Sequence, residues 1–221
     1  MKLLLSALTK FIMGLLLVGV LIFLPAGTFN YMGGWMFVAL LFIPMFIMGA
    51  VMLIKAPDLL KKRLDGKEKE NTQKGVVAFS ALIFLGGFIV AGFDFHFRWS
   101  NVSGVVQIIA SALFLISYAL YAEVMRENAY LSRTIKVQKN QNVIDTGLYG
   151  IVRHPMYMAT ILMFLMIPLI LGSWYSFIIF LAYPLIIAMR IKNEEKVLSE
   201  QLDGYAEYKQ KVKHKIIPFI W

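Results

Sequence analysis

The chain has 221 residues, 59% of them apolar and only 16% charged, with a mean hydropathy of +0.70. Soluble domains carry about a quarter charged residues, so a soluble globular protein is excluded. Cysteine is absent, which removes disulfides, thiolate metal sites and cysteine nucleophiles, and the formal net charge of +9 leaves two explanations, a nucleic-acid partner or a membrane topology signal.

Apolar segments follow one another along the chain. The first runs from Phe11 to Phe29 with Leu3 to Leu8 as a lead-in, the second from Gly33 to Ile54, the third from Gly75 to Phe93 and the fourth from Gly104 to Val124. Each is close to the roughly 20 residues that cross a bilayer. From Met156 to Ile191 the sequence stays apolar for too long to be one crossing, even a tilted one. Leu171-Gly172-Ser173-Trp174, with glycine, serine and an interfacial tryptophan together, breaks it into a tight hairpin of helices five and six. Pro44, Pro168 and Pro184 are expected to kink their helices or free carbonyls. The expected fold is all-α: a polytopic membrane helix bundle of about six transmembrane helices with a C-terminal helical hairpin and a cytoplasmic tail. Residues 1–124 hold helices one to four and residues 125–221 a second half, integrated with the first as one domain.

Basic residues then orient the bundle. The ends and loops that face one side hold 21 of the 22 lysines and arginines, and Arg98 alone falls on the other. The positive-inside rule reads this as a multi-pass cell-membrane protein with both termini cytoplasmic, and it makes a nucleic-acid partner unnecessary. A cleaved signal peptide is a weaker reading of the first segment, because the run is long and Leu24-Pro25-Ala26 makes a poor cleavage site. The lysine- and glutamate-rich stretch from Lys55 to Lys74 reads as a solvated linker. The loop from Met125 to His154 and the tail from Arg190 to Trp221 frame the hairpin and hold most of the specific polar chemistry.

Two constellations stand out there. In Asp145-Thr-Gly-Leu-Tyr-Gly-Ile-Val-Arg-His-Pro-Met-Tyr157, Pro155 keeps His154 out of the helical region and suits the first turn of a helix, so helix five should start at the membrane surface. A helix start there offers amides and a positive dipole end to an anion, while Tyr149, His154 and Tyr157 offer aromatic faces to a cation. The same residues also fit a plain interfacial anchor of tyrosine and arginine. At the end of helix six, Arg190 and Glu194 share a helix face, with Glu195 about 100° round. They fit an ordinary surface ion pair, or an arginine clamp and a carboxylate acting on a ligand near His154 and Tyr157.

The run Gly147-Leu-Tyr149-Gly-Ile-Val-Arg153-His154-Pro155-Met-Tyr157, the apolar hairpin, Arg190-x-x-x-Glu194-Glu195-x-x-Leu198, and Tyr205-x-x-Tyr208 ahead of Ile217-Pro218 closely resemble the isoprenylcysteine carboxyl methyltransferase family, which is similar in this half to the phospholipid N-methyltransferases. Glu127-Asn128 and Arg133-Thr-Ile-Lys-Val-Gln138 resemble bacterial members. The likeness covers residues 123 to 221. It implies a membrane-embedded S-adenosylmethionine-dependent methyltransferase, with S-adenosylhomocysteine as product and a lipophilic small molecule or lipid as acceptor, among membrane lipids. By position it implies that Gln138, Gln141, Asn142, Val143, Ile144, Tyr149, His154, Pro155, Met156, Tyr157 and Glu194 contact the cofactor. Arg190 is implied as the catalytic, substrate-orienting residue.

Two departures shape these expectations. Gln141 stands where family members often have histidine, so contacts there are expected through the backbone, and Tyr205 follows Gly204 one residue early, so the tail tyrosines are expected only to pack. The favoured acceptor is the carboxylate of an isoprenylcysteine-like molecule, the alternative a phospholipid amine. A nicotinamide-dependent membrane sterol reductase shares a loosely similar C-terminal half. The reading from another class is a small transporter or non-catalytic membrane partner, but mid-membrane depths hold almost no ionisable group. His96, His154 and His214 have no metal-ligand spacing, and neither a G-x-G-x-x-G fingerprint nor a Walker motif occurs.

Overall fold

The computed structural model describes residues 2–64, 71–131 and 137–221, with backbone only for 71–74. Its helices are α1 (Lys2–Ala26), α2 (Met32–Lys55), α3 (Pro57–Leu64), α4 (Asn71–Phe97), α5 (Gly104–Glu127), α6 (Pro155–Ile170), α7 (Trp174–Phe180), α8 (Tyr183–Gln201) and α9 (Tyr205–Lys211), and the described residues contain no strand. α1, α2, α4, α5 and the α7–α8 run Trp174–Gln201 are long and apolar enough to cross a membrane. α6 has 16 residues, a length of about 24 Å, and is the shortest member of the expected set. The result is the polytopic helical bundle that the apolar segments predict.

The outer surface of this bundle is apolar. Leu16, Leu24, Ile54, Val105, Ile108 and Leu185 are all exposed, as helix faces turned to lipid must be. Inside, aromatic side chains fill the space between helices: Phe84 of α4 meets Phe164 of α6 and both Phe180 and Tyr183 of the α7–α8 run edge-on, and Phe37 of α2 packs against Phe88 and Phe114. Offset and edge-to-face contacts of this kind add to the area each ring buries.

The hairpin turns where Gly172 and Ser173 predict. Ser173 caps α7 by accepting from the Ser176 amide at 3.0 Å, and its own hydroxyl donates to Asp94 of α4. Asp94 also accepts from the amide and hydroxyl of Ser100, so one carboxylate, 1% exposed, ties the end of α4 to the α6–α7 turn. The sequence reading gives almost no ionisable group to mid-membrane depth, and Asp94, one residue past the third apolar run and in the last turn of α4, lies at the end of its helix. A second break falls at Pro184, one of the three prolines expected to disturb a helix. The proline ring of Pro184 has no place beside the carbonyl four residues earlier, which is that of Phe180, and α7 ends at Phe180.

The largest correction concerns the stretch read as a solvated linker. Pro57 opens α3, and Leu60 is buried with Met52, Val124, Met125, Leu131 and Tyr149. Lys62 donates to the Ala129 carbonyl and lies over the Tyr130 ring, while Arg63 donates to the Tyr121 hydroxyl. Charge outweighs Leu59, Leu60 and Leu64 in any average over this stretch, so its one apolar face goes unseen. Residues 65–70 of the same stretch lie outside the described residues.

Candidate functional site

The site forms where α5 ends, α6 begins and α8 leaves the bundle. Pro155 occupies the first position of α6, and His154 precedes it at φ −126° and ψ 60°, outside the helical region as the proline demands. Pro155 has no N–H, and the amides of Tyr157 and Met158 both donate to the His154 carbonyl. The anion-binding capacity expected of this helix start is thereby reduced to the Met156 amide.

Just before the proline, the chain is locked to the C-terminal tail. The amides of Arg153 and His154 donate to the carbonyls of His214 and Lys215 at 2.9 and 2.8 Å. Arg153, buried, sends Nε to Glu195 Oε1 at 2.7 Å and Nη1 to the carbonyls of Val212 and Lys213. Glu195 Oε1 also receives His154 Nε2 at 3.3 Å, and Lys215 approaches the other oxygen at 3.9 Å. An ionised carboxylate only accepts, so this contact puts a proton on Nε2 of His154 and fixes the ring. Glu195 is therefore the hub that joins α8, the His154 turn and the tail.

Glu194, the next residue, points elsewhere. The Tyr157 hydroxyl donates to Glu194 Oε2 at 2.6 Å and accepts from Arg190 Nε at 2.8 Å, and the Arg190 guanidinium lies 5.9 Å from the centre of the Tyr157 ring. His154 stacks on Tyr157 with centroids 5.7 Å apart. Arg190 and Glu194 are thus bound through a buried tyrosine to the start of α6, and the picture of a free surface ion pair does not hold.

The opposite wall comes from the loop after α5. A 3₁₀ turn at Gly147–Gly150 carries Tyr149, whose hydroxyl accepts from Asn128 Nδ2 at 2.9 Å and whose carbonyl accepts from the Tyr208 hydroxyl at 2.7 Å. Burial pushes the Tyr149 phenol up to about 12, so it stays protonated. The Glu127 carboxylate reaches the turn to accept from the Leu148 amide at 3.2 Å. Gly147, at φ +51°, permits this, since a Cβ there would fall on that carboxylate. In the preceding segment the Gln138 amide donates to Gln141 Oε1 at 2.9 Å, the Gln141 amide returns to the Gln138 carbonyl, and Gln138 Nε2 donates to the Tyr130 carbonyl. Of the stretch Arg133 to Gln138 that carries part of the resemblance, residues 133–136 lie outside the described residues.

Between these walls lies a cleft. Of the residues singled out from sequence, Gln141, Asn142, Val143, Ile144, Tyr149, His154, Pro155, Met156, Tyr157 and Glu194 line it. Gln138 does not; its polar atoms shape the loop behind. Arg190 sits one hydrogen bond away, on the far side of the Tyr157 hydroxyl. Sequence reasoning left out Asn128, Tyr130, Leu131, Arg153, Leu198, Leu202, Tyr205 and Tyr208, which complete the lining. The one-residue shift that weighs against a role for Tyr205 and Tyr208 does not keep them from the cleft: α9 starts after Gly204, φ +80°, a left-handed geometry that glycine adopts at no steric cost, and both tyrosines are among the lining residues.

The lining combines apolar side chains with one carboxylate. Val143, Ile144, Met156, Leu198 and Leu202 form an apolar bed that could take a flat ring, and Glu194 is a half-buried carboxylate that could meet a cation. The Tyr205 hydroxyl is buried without a hydrogen-bond partner. Among the described residues no group of histidines and acids has the arrangement of a metal site.

Residues 105–203, just under half of the chain, match the model of the phospholipid methyltransferase family, itself one of the group of membrane methyltransferases that also includes the isoprenylcysteine carboxyl enzymes. No curated protein matches the chain significantly. Over that segment the chain is similar to membrane methyltransferases, and the described residues include five helices long and apolar enough to cross a membrane.

Proposed function

We propose that the protein transfers a methyl group from S-adenosylmethionine to a lipophilic acceptor, the carboxylate of an isoprenylcysteine-like molecule. The observation that carries this reading is the chain Arg190–Tyr157–Glu194 beside His154, which sets a guanidinium and a carboxylate on either side of one phenol at the edge of the cleft. The cofactor, when bound, supplies an electrophilic methyl for in-line displacement, and the protein's part is positioning. Glu194 faces the cationic end of the cofactor, while Gln141 to Ile144, Tyr149 and the His154 to Tyr157 turn hold the remainder. Arg190 orients the acceptor carboxylate, which is already ionised at neutral pH and needs no general base. An open apolar groove of about 980 Å³ between α2, α3 and α5 reaches Ala129, next to the Asn128 and Tyr130 that line the cleft, and offers a path for a hydrophobic tail from the bilayer.

A phospholipid amine is the second reading, favoured by the description of the matched family. Such an acceptor must lose a proton, and Glu194, the carboxylate in the lining, would take it. Calorimetry with S-adenosylhomocysteine on purified protein is expected to show binding, weakened by about 1–3 kcal/mol in His154→Ala. Labelled methyl should then appear on a prenylated cysteine carboxylate; label on an amine phospholipid instead would select the second reading, and no binding at millimolar ligand would end both.

Both termini and the cleft are assigned to the cytoplasmic side on the distribution of the basic residues. A reporter fused after Trp221 should report the cytoplasm, and one inserted near Arg98 the opposite side. The reverse pattern would overturn the assignment.

A further inference from the structure

Buried hydroxyls nearly always have partners, and the exceptions call for an explanation. Among the described residues, one buried side-chain polar atom lacks a partner: the hydroxyl of Tyr205. The residue is 4% exposed, its ring lines the cleft, and it lies on α9 in a part of the chain that the family match does not reach. Its neighbour Tyr208 makes the contrast plain. That ring lines the same cleft, yet its hydroxyl is fully used, donating to the Tyr149 carbonyl at 2.7 Å.

Resting on the methyltransferase reading above, we propose that Tyr205 is a further cofactor-binding residue, its hydroxyl donating a hydrogen bond to an acceptor atom of the S-adenosyl ligand. Three features support a donor role. Burial, with the nearby carboxylates of Glu195 and Glu194, holds the phenol far above its ordinary range, so the proton is retained. Those carboxylates also disfavour a second anion beside the ring, which directs the hydroxyl to a neutral oxygen or nitrogen, such as those of the ribose and adenine. Finally, desolvating this hydroxyl gains nothing in the ligand-free protein, as expected of a group arranged for what binds. The tail is therefore part of the cofactor site and not only its support.

An unused hydroxyl makes a prediction that ordinary packing does not. Tyr205→Phe removes a polar atom that has no partner in the free protein, so the thermal midpoint of ligand-free protein in detergent should hold or rise. The same variant should bind S-adenosylhomocysteine about tenfold more weakly by calorimetry, the loss of one hydrogen bond. Tyr208→Phe, the control, should lower the midpoint because it strips the partner from the Tyr149 carbonyl. Wild-type affinity in Tyr205→Phe would overturn the proposal and leave the methyltransferase reading intact. A lowered midpoint without ligand would also overturn it, since the hydroxyl would then have a partner in the free protein. Absence of binding by the wild-type chain would remove both readings together.

Discussion

Glu195→Ala should cost about 3 kcal/mol of stability or more, the largest loss expected from any single change at the site. The reason lies in what it leaves behind. Arg153 and Glu195 are both buried, at 8% and 7% exposure, and the guanidinium's remaining contacts are neutral carbonyls. Deleting one member of a buried pair leaves an uncompensated charge, and the penalty for that exceeds what the pair itself contributes. Two further losses follow. His154 Nε2 is released from its acceptor, and the guanidinium that bonds the carbonyls of Val212 and Lys213 loses the carboxylate that anchors it. Cofactor affinity should therefore fall with stability, although Glu195 is not in the lining. Thermal unfolding in detergent, paired with S-adenosylhomocysteine calorimetry, checks this. Glu195→Gln, which retains an acceptor without the charge, should fall between wild type and alanine. Glu123→Ala is the contrast: its partner Arg126 is 70% exposed, and loss of that surface pair should have no measurable effect. An equally mild result at Glu195 would mean that the hub does not hold the tail.

What the sequence makes legible is whatever depends on local pattern. The long apolar runs, the turn at Gly172-Ser173 and the start of α6 at Pro155 all follow from residues adjacent in the chain. The carry-over of motif positions also brings Gln141 to Ile144, Tyr149, His154 to Tyr157 and Glu194 to one cleft. What escapes is set by distant pairing. Asp94 reads as a stray acid at a segment end until Ser100 and Ser173 are placed beside it. α3 reads as linker because its lysines mask the face that buries Leu60. The double glutamate is visible as a motif, yet nothing in Glu194-Glu195 says that one faces a tyrosine in the cleft and the other a buried arginine. The roughly 100° between them around the helix separates a cleft-lining carboxylate from a structural one.

That division yields the sharpest functional expectation, at the end of α8. If Glu194 meets the cofactor and Arg190 the acceptor, Glu194→Ala should weaken S-adenosylhomocysteine binding by about tenfold or more, the range of a hydrogen bond to a charged group. Arg190→Ala should leave that affinity near wild type and reduce single-turnover methylation by roughly 100-fold, because charge and orientation at the acceptor are both lost. Arg190→Lys should recover little, since a point charge does not reproduce a planar fork that also bonds the Tyr157 hydroxyl. Tyr157 gives the two phenotypes a shared control: its hydroxyl touches both side chains, so Tyr157→Phe should impair binding and turnover together. A merely structural Arg190–Tyr157–Glu194 chain makes a different forecast. All three residues would then lower stability by similar amounts, with binding and turnover falling only in proportion to the unfolded fraction. Affinity and single-turnover rate measured on the same folded preparations separate the two cases, and parallel losses in Arg190→Ala and Glu194→Ala would withdraw the assignment of acceptor to one and cofactor to the other.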